Sequence, residues 1–233
     1  MAIYQIADLR VHMETFGRTL EQAKPYLVSD AQADIEIVSN PEPLQKRNPH
    51  LSHDDCEYLS TGADFYRKLT EFNGMMLHAS CVVVDNRAYL FSAPCGTGKS
   101  THVSLWLELF GDRAYVLNDD KPAIRVLDDD IFVYGTPWSG KNDYSRNERV
   151  PLGGIAFVRR AEENSIRPME TDKAVYAMLD QTARSIASGR MIACLDTINC
   201  IIETGRVWEL FCNMDISAAR LSYETMCEKR ASE

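Results

Sequence analysis

The chain has 233 residues, 45% of them hydrophobic, and a formal net charge of −9 at pH 7. This length and composition allow a substantial core in one domain, or in one domain with a small N-terminal addition. The acidic balance argues against a nucleic-acid partner, because a large nucleic-acid interface requires a basic face. No segment reaches the roughly 18–20 uncharged apolar residues that span a bilayer, so we expect a cytoplasmic protein without a membrane partner.

The first 72 residues are predicted to form a small α+β region. Residues 39–55 are rich in proline and in polar side chains, which predicts a loop. Hydrophobic spacing before and after this loop predicts short strands at 10–14 and 35–38 and helices at 20–26 and 63–72. Asn73 and Gly74 follow, and these residue types commonly end a helix.

Residues 73–233 are predicted to form one larger domain. The predicted strands are 80–84, 88–92, 114–117, 124–127, 131–134, 155–158 and 207–212, and the predicted helices are 101–110, 173–187, 191–202 and a terminal helix capped by Asp215. A strand, a helix and a strand follow one another between residues 88 and 117, so these two strands should run parallel in one sheet. The predicted fold class is therefore α/β, with a mixed sheet.

A glycine-rich loop follows one of the predicted strands. Residues 93–100 match the Walker A pattern except that Ala93 replaces the first glycine. Glycines let backbone N–H groups surround phosphate oxygens, the lysine neutralises their charge, and the serine hydroxyl ligates Mg²⁺. Because the motif opens an amphipathic helix, we predict a site for a purine nucleoside triphosphate, ATP, with magnesium. The predicted nucleotide-binding residues are Pro94, Cys95, Gly96, Thr97, Gly98, Lys99, Ser100 and Thr101.

Two carboxylates follow the strand at 114–117. Asp119 and Asp120 should lie at the same sheet edge as the P-loop, because parallel strands end at a common edge. One carboxylate can assist Ser100 in holding the metal, and we assign this role to Asp119. The other, Asp120, can accept a proton from an attacking hydroxyl.

Hairpin register brings two further groups toward this edge. A turn at residues 85–87 pairs positions whose numbers sum to about 172, which places His78 beside Ala93 and Pro94. There His78 could orient or charge-balance Asp120, or serve a purely structural role. The second hairpin returns Trp138 to the level of Asp120, so residues 135–141 should form a loop over the site. In this loop Trp138 could pack on substrate and Lys141 could stabilise the transferring phosphoryl group, unless the loop is a solvent loop around a buried tryptophan.

Four arginines are weaker candidates for contacts to phosphate or to an acidic substrate. They are Arg146, Arg149, Arg159 and Arg160. A solvated charged face is the more common role for such residues.

Residues 77–80, 95–100, 117–120 and 135–141 form four motifs in a characteristic order. In order and approximate spacing they resemble the catalytic domain of the HPr kinase/phosphorylase family. The chain is more closely similar to the shorter HPr-kinase-like proteins, some of which are associated with modified peptides. The resemblance covers residues 73–160 well and the rest of the chain only in its pattern of elements.

The resemblance implies a P-loop kinase core related to phosphoenolpyruvate carboxykinase and phosphoryl transfer from ATP, with Mg²⁺, to a serine hydroxyl of a peptide or protein. The site residues it implies are His78 as the active-site histidine, Lys99 and Ser100 as the P-loop pair, Asp119 as a metal-associated carboxylate and Asp120 as the catalytic acid/base. Two features depart from the family. Phe132 stands where the larger enzymes carry a glutamate, and their long N-terminal domain has no counterpart of similar length.

The sequence is also compatible with other functions. A kinase acting on a small hydroxylated metabolite would use the same site, and so would a non-catalytic ATP-binding regulatory module. A GTPase is disfavoured because the chain has no Asn-Lys-x-Asp motif for reading guanine. A carboxykinase-like decarboxylase is disfavoured because no further His or Lys metal ligands are evident. A homo-oligomer is compatible with the sequence.

Overall fold

The computed structural model describes residues 2–29, 32–128, 130–140, 142–183 and 188–228. The strands are β1 Ile3–Ile6, β2 Leu9–Met13, β3 Leu27–Val28, β4 Ile35–Ile37, β5 Gly74–Met76, β6 Ala79–Val84, β7 Arg87–Ser92, β8 Ala114–Asn118, β9 Ala123–Leu127, β10 Asp130–Tyr134, β11 Arg149–Arg160, β12 Ser165–Pro168 and β13 Val207–Cys212. The α-helices are α1 Gly17–Ala23, α2 Glu42–Arg47, α3 His53–Leu69, α4 Lys99–Phe110, α5 Thr171–Asp180, α6 Ser188–Glu203 and α7 Ile216–Glu228. Among these residues, no helix combines the length and the apolar character needed to cross a membrane.

The N-terminal region forms a four-stranded sheet in the order β3-β1-β2-β4. β1 and β2 are antiparallel and are joined by a two-residue turn in which Ala7 and Asp8 have φ values of 53° and 60°. Helix α3 contacts this region through α1, α2 and β4. The predicted strands at 10–14 and 35–38 are confirmed to within one residue. The predicted helix at 20–26 overlaps α1, and its last residues, Lys24–Tyr26, form a 3-10 turn.

The larger sheet has the strand order β5-β9-β10-β11-β7-β6-β8, and β13 and β12 extend it from β11. Strand β6 runs antiparallel to both β7 and β8, so β7 and β8 are parallel to each other. The prediction of parallel strands in one sheet is confirmed, with β6 lying between them. Parallel and antiparallel pairs occur together, which makes this a mixed α/β fold.

Side chains alternate between the two faces of this sheet, as the period of a strand requires. Cys81 and Val83 of β6 pack in a core with α5 and α6, whereas Val82 and Val84 pack in a second core with α4 and α7. A third core joins the N-terminal sheet and α3 to Ala123 and Tyr134 of the larger sheet and to Trp138 of the loop after β10. The N-terminal region therefore shares buried surface with the rest of the chain.

Both hairpins form where they were predicted. Arg87 and Asp130, predicted to belong to the turns at 85–87 and 128–130, pair as strand residues, so both registers differ from the prediction by one residue. Ala79 pairs with Ser92, and the turn residues Asp85 and Asn86 have φ values of 49° and 59°. This two-residue turn matches the right-handed twist of the strands. In the second hairpin Asp130 pairs with Leu127. The shift still places His78 next to Ala93, because His78 directly precedes the paired segment.

Several element boundaries differ from the sequence prediction. Helix α3 begins at His53, ten residues before the predicted start at 63, because the Ser52 hydroxyl caps it by accepting the Asp55 N–H. Helix α2 lies inside the predicted loop. Pro41 is its N-cap residue and Pro43 lies in its first turn, where a missing N–H costs nothing. Helix α5 ends at Asp180 instead of 187, and the last residues of the predicted helix, 184–187, lie outside the described residues.

Candidate active site

The loop between β7 and α4 has the backbone geometry of a phosphate cradle. Gly96 and Gly98 have φ values of 77° and 119°, which side-chain-bearing residues rarely adopt. Lys99 is buried at the start of α4, and its Nζ donates a hydrogen bond to the Ala93 carbonyl at 2.8 Å. This bond closes the loop across its base and holds the ammonium at the helix N-terminus, where the macrodipole favours anions.

An arginine from β11 supports the loop from outside. Arg160 donates from Nε to the Thr97 carbonyl at 3.0 Å and from Nη2 to the Gly96 carbonyl. Two carbonyls of the cradle are thereby tied to a cation on the neighbouring strand. The sequence favoured a solvated charged face for Arg160; the side chain is exposed, but its guanidinium contacts the P-loop.

Two hydroxyls meet one carboxylate oxygen at the end of β8. Ser100 Oγ donates to Asp119 Oδ1 at 3.0 Å, and Ser80 Oγ donates to the same oxygen at 2.6 Å. The two Oγ atoms are 3.3 Å apart. Ser80 reaches this place because β6 runs antiparallel to its neighbours, so its N-terminal end lies at the edge where β7 and β8 end. The sequence predicted Ser100 and Asp119 together but did not identify Ser80.

The second carboxylate, Asp120, lies between basic groups. His78 Nε2 is 3.4 Å from Asp120 Oδ1, and Lys121 Nζ forms an ion pair with Oδ2. Asn118 fixes the turn that presents these residues, because its Oδ1 accepts the N–H groups of Asp120 and Lys121 at 3.0 and 2.8 Å. Lys121 was missed in the sequence, and its position beside two acidic residues was the available signal.

Burial lowers the pKa values of two basic groups near the loop. For the pKa of His78 the charge of Lys99 is the second cause. The Nδ1 of this imidazole lies 3.0 Å from Gln181 Oε1. Burial also lowers the pKa of the Lys99 ammonium, against the opposing charges of Asp119 and Asp120.

The loop at residues 135–140 lies against Asp120, as the hairpin register predicts, but its tryptophan faces inward. Trp138 is fully buried, stacks on Phe65 with ring centroids 4.9 Å apart, and donates from Nε1 to Thr61 Oγ1 at 3.3 Å. The prediction that Trp138 could pack on substrate is therefore wrong, because helix α3 covers the ring. Lys141, predicted to stabilise the phosphoryl group, lies outside the described residues.

Cavities open on both sides of the P-loop. The larger, of about 760 Å³, is lined by Pro94 and Cys95 and continues toward a cavity of about 350 Å³ that contains His78 and Asp120. A third, of about 440 Å³, lies beside Gly98 and Thr101 at the first turn of α4. Six of the eight predicted nucleotide-binding residues, all except Lys99 and Ser100, thus line these cavities on two faces of one loop.

Comparisons with known proteins give distant structural likenesses. No protein-family model matches the chain, and no curated protein matches it in sequence. The chain is similar in structure to the Hpr(Ser) kinase/phosphatase from Coxiella burnetii, with 9% sequence identity and a TM-score of 0.38. The alignment covers 66% of this chain and 98% of that one. A likeness at this TM-score adds nothing to what the site geometry supports.

Proposed function

We propose that the chain is an ATP- and magnesium-dependent kinase that transfers the γ-phosphoryl group to a hydroxyl, with a serine of a peptide or protein as the acceptor. One observation carries the proposal. A glycine-rich loop at a helix N-terminus, a serine–carboxylate pair and a second carboxylate with a histidine all meet at one sheet edge. Phosphoryl transfer requires mainly positioning and charge stabilisation, and these groups supply both.

The oxygen donors beside the P-loop fit magnesium. Mg²⁺ in nucleotide sites takes one or two carboxylates or hydroxyls from the protein and completes its shell with phosphate and water. Asp119 and Ser100 would hold the ion, and Ser80 orients the carboxylate. Within the described parts of the chain no three His, Cys, Asp or Glu side chains form a metal cluster. When bound, the metal would neutralise charge on the phosphate oxygens.

The remaining groups have distinct roles in the proposal. Lys99 and the N-terminus of α4 bind the phosphates. Asp120 accepts the proton of the attacking hydroxyl. The ion pair with Lys121 orients this carboxylate before substrate binds. His78 Nε2 faces the opposite oxygen of Asp120, where a protonated imidazole would balance the charge of the carboxylate.

Replacement of Asp120 by Asn tests the proposed reaction. The amide keeps the shape of the carboxylate and cannot accept the proton, so transfer should fall by about 10²–10⁴-fold. Binding of a non-hydrolysable ATP analogue with Mg²⁺, measured by calorimetry, should change by less than about threefold, a free-energy difference of about 0.7 kcal/mol. Transfer is measured with γ-labelled ATP against a panel of serine peptides and small hydroxylated metabolites.

Asp112→Asn is the matched control, since Asp112 is an exposed aspartate just beyond α4. It should retain the activity of the unmodified chain. Full transfer by Asp120→Asn would refute the base assignment. Labelling of metabolites alone would replace the peptide acceptor with a small molecule, and analogue binding without transfer to any acceptor would favour a regulatory ATP-binding module.

A further inference from the structure

Gly140, in the loop over the candidate site, is held on both sides of its backbone by the N-terminal region. Its N–H donates to the Tyr58 hydroxyl at 2.9 Å, and its carbonyl accepts from Gln22 Nε2 at 3.0 Å. Tyr58 belongs to α3 and Gln22 to α1, and both side chains are buried. Two helices outside the P-loop domain therefore fix one residue of the loop.

Gly140 in turn lies directly against Asp120. A Cβ atom built on Gly140 would be 3.2 Å from Asp120 Cβ, and its φ of 79° favours glycine. The Tyr58 ring lies below the Lys121 ammonium, with Nζ 5.0 Å from the ring centroid, and this ammonium pairs with Asp120. Burial raises the pKa of Tyr58, and the charge of Asp120 is the second cause. One side chain thus contacts the loop backbone and the cation that holds the proposed base.

Helix α3 presents a whole face to the active-site loops. Tyr66, two turns after Tyr58, donates its hydroxyl to the Lys121 carbonyl. Between them, Gly62 lies so close to Trp138 that a Cβ atom there would be 2.9 Å from the indole. The spacing of these residues is that of one helix face. The face therefore fixes the turn that carries Asp120 and the loop that covers it.

The two helices are also joined to each other by a buried polar contact. Glu57 of α3 is fully buried and hydrogen-bonds the Thr19 hydroxyl of α1. Burial raises the pKa of Glu57, against the opposing effect of the Thr19 hydrogen bond. A rigid α1–α3 pair can hold Gly140 from both sides at once, which a single flexible side chain could not do.

We propose that Tyr58 is a positioning residue for phosphoryl transfer, which holds Asp120 and the covering loop in their reactive arrangement. The N-terminal region then completes the active centre instead of being a separate addition. This inference rests on the proposed kinase function. A displacement of about 1 Å in a reacting group can cost about 10²-fold in rate, so removal of one hydroxyl is expected to be visible in kcat.

Tyr58→Phe tests the inference in the 233-residue chain. It deletes the hydroxyl and retains the ring, so kcat for transfer should fall by about 10–100-fold while KM for Mg-ATP changes by less than about twofold. Tyr134→Phe is the control, because Tyr134 donates to Asp8 at 2.8 Å and so also links the N-terminal region to the larger sheet. If the Tyr58 hydrogen bond were purely structural, both variants would lose thermal stability to a similar extent. Neither variant would then show a fall in kcat alone.

Hydrogen exchange of the Gly140 amide provides a readout that does not require catalysis. Exchange should be faster in Tyr58→Phe than in the unmodified chain and unchanged in Tyr134→Phe. Equal kcat values in the two variants, or an unchanged Gly140 amide, would overturn the positioning role. If the unmodified chain transfers no phosphate while Tyr58 protects the Gly140 amide, the kinase proposal fails, and the catalytic part of this inference fails with it.

Discussion

At the scale of single residues, Gly98 shows how the P-loop depends on backbone conformation. Its φ is 119°, and a Cβ built on it meets no atom within 4 Å. The space is open, so the cost of a side chain there is conformational, about 1–3 kcal/mol. The glycine is required for the shape of the loop and not for packing.

Gly98→Ala should therefore weaken nucleotide binding. A cost of about 1.4 kcal/mol already lowers affinity tenfold, so we expect at least about a tenfold loss for the Mg-ATP analogue by calorimetry. Gly189→Ala is the control, because Gly189 lies in α6, also meets no atom within 4 Å and has no positive φ. It should leave binding unchanged and alter unfolding free energy by at most about 1 kcal/mol. Unchanged affinity in Gly98→Ala would contradict the conformational argument.

Some residues of the candidate site could be placed from the sequence, and others could not. Strand direction and hairpin register place Ser100, Asp119 and His78 at one edge, and these are properties of local pattern. The inward orientation of the Trp138 side chain depends instead on its contacts with Gly62 and Phe65 of helix α3. No spacing within residues 135–141 encodes that partner, so the prediction of a substrate contact was wrong.

At the scale of elements, α4 joins the phosphate loop to the opposite end of the chain. His102, one turn into the helix, is buried with its Nε2 3.0 Å from Ser222 Oγ of α7. Trp106, one turn later, donates to the same hydroxyl at 3.0 Å. Burial lowers the pKa of His102 from 6.5 to about 4. The helix that carries the P-loop is thus anchored by a neutral imidazole.

This imidazole makes stability depend on pH in a defined window. Below pH 6.5 the unfolded chain binds a proton that folded His102 does not bind until about pH 4. The free energy of unfolding should fall as pH decreases through this window, by about 3 kcal/mol in total. In His102→Gln this loss should be smaller by that amount, measured by urea unfolding at pH 7 and pH 4. His50→Gln, at an exposed position, should lose as much as the unmodified chain, and an equal loss in His102→Gln would contradict the assignment.

Helix α3 was predicted only in part from the sequence. Its C-terminal half has clear apolar spacing and was predicted. Its first three residues, 53–55, fell in the loop predicted at 39–55, and residues 56–62 were left unassigned. In the structure the N-terminal half carries Glu57 and Tyr58, which are buried because they contact α1 and the active-site loop. Polar residues that are buried through partners distant in sequence give no hydrophobic period.

At the scale of the whole molecule, the tryptophans report on different cores. Trp138 lies in the core that joins the N-terminal sheet and α3 to the larger sheet. Trp106 and Trp208 lie in the core between the larger sheet and α4 and α7. Because the first of these cores contains residues from both regions, its loss would expose buried surface on each of them. The chain should therefore unfold as one cooperative unit.

Tryptophan fluorescence can test this cooperativity, since the chain has only three tryptophans. In a Trp106→Phe/Trp208→Phe variant the fluorescence reports Trp138 alone, and in Trp138→Phe it reports the opposite core. Within each variant the urea midpoint from fluorescence should equal the midpoint from far-UV circular dichroism, because two-state unfolding gives coincident transitions. Comparison inside one variant removes the effect of the substitution on stability. A Trp138 transition at lower urea than the dichroism transition would show that residues 1–72 unfold independently, and the N-terminal region could not then hold Asp120 as rigidly as its contacts indicate.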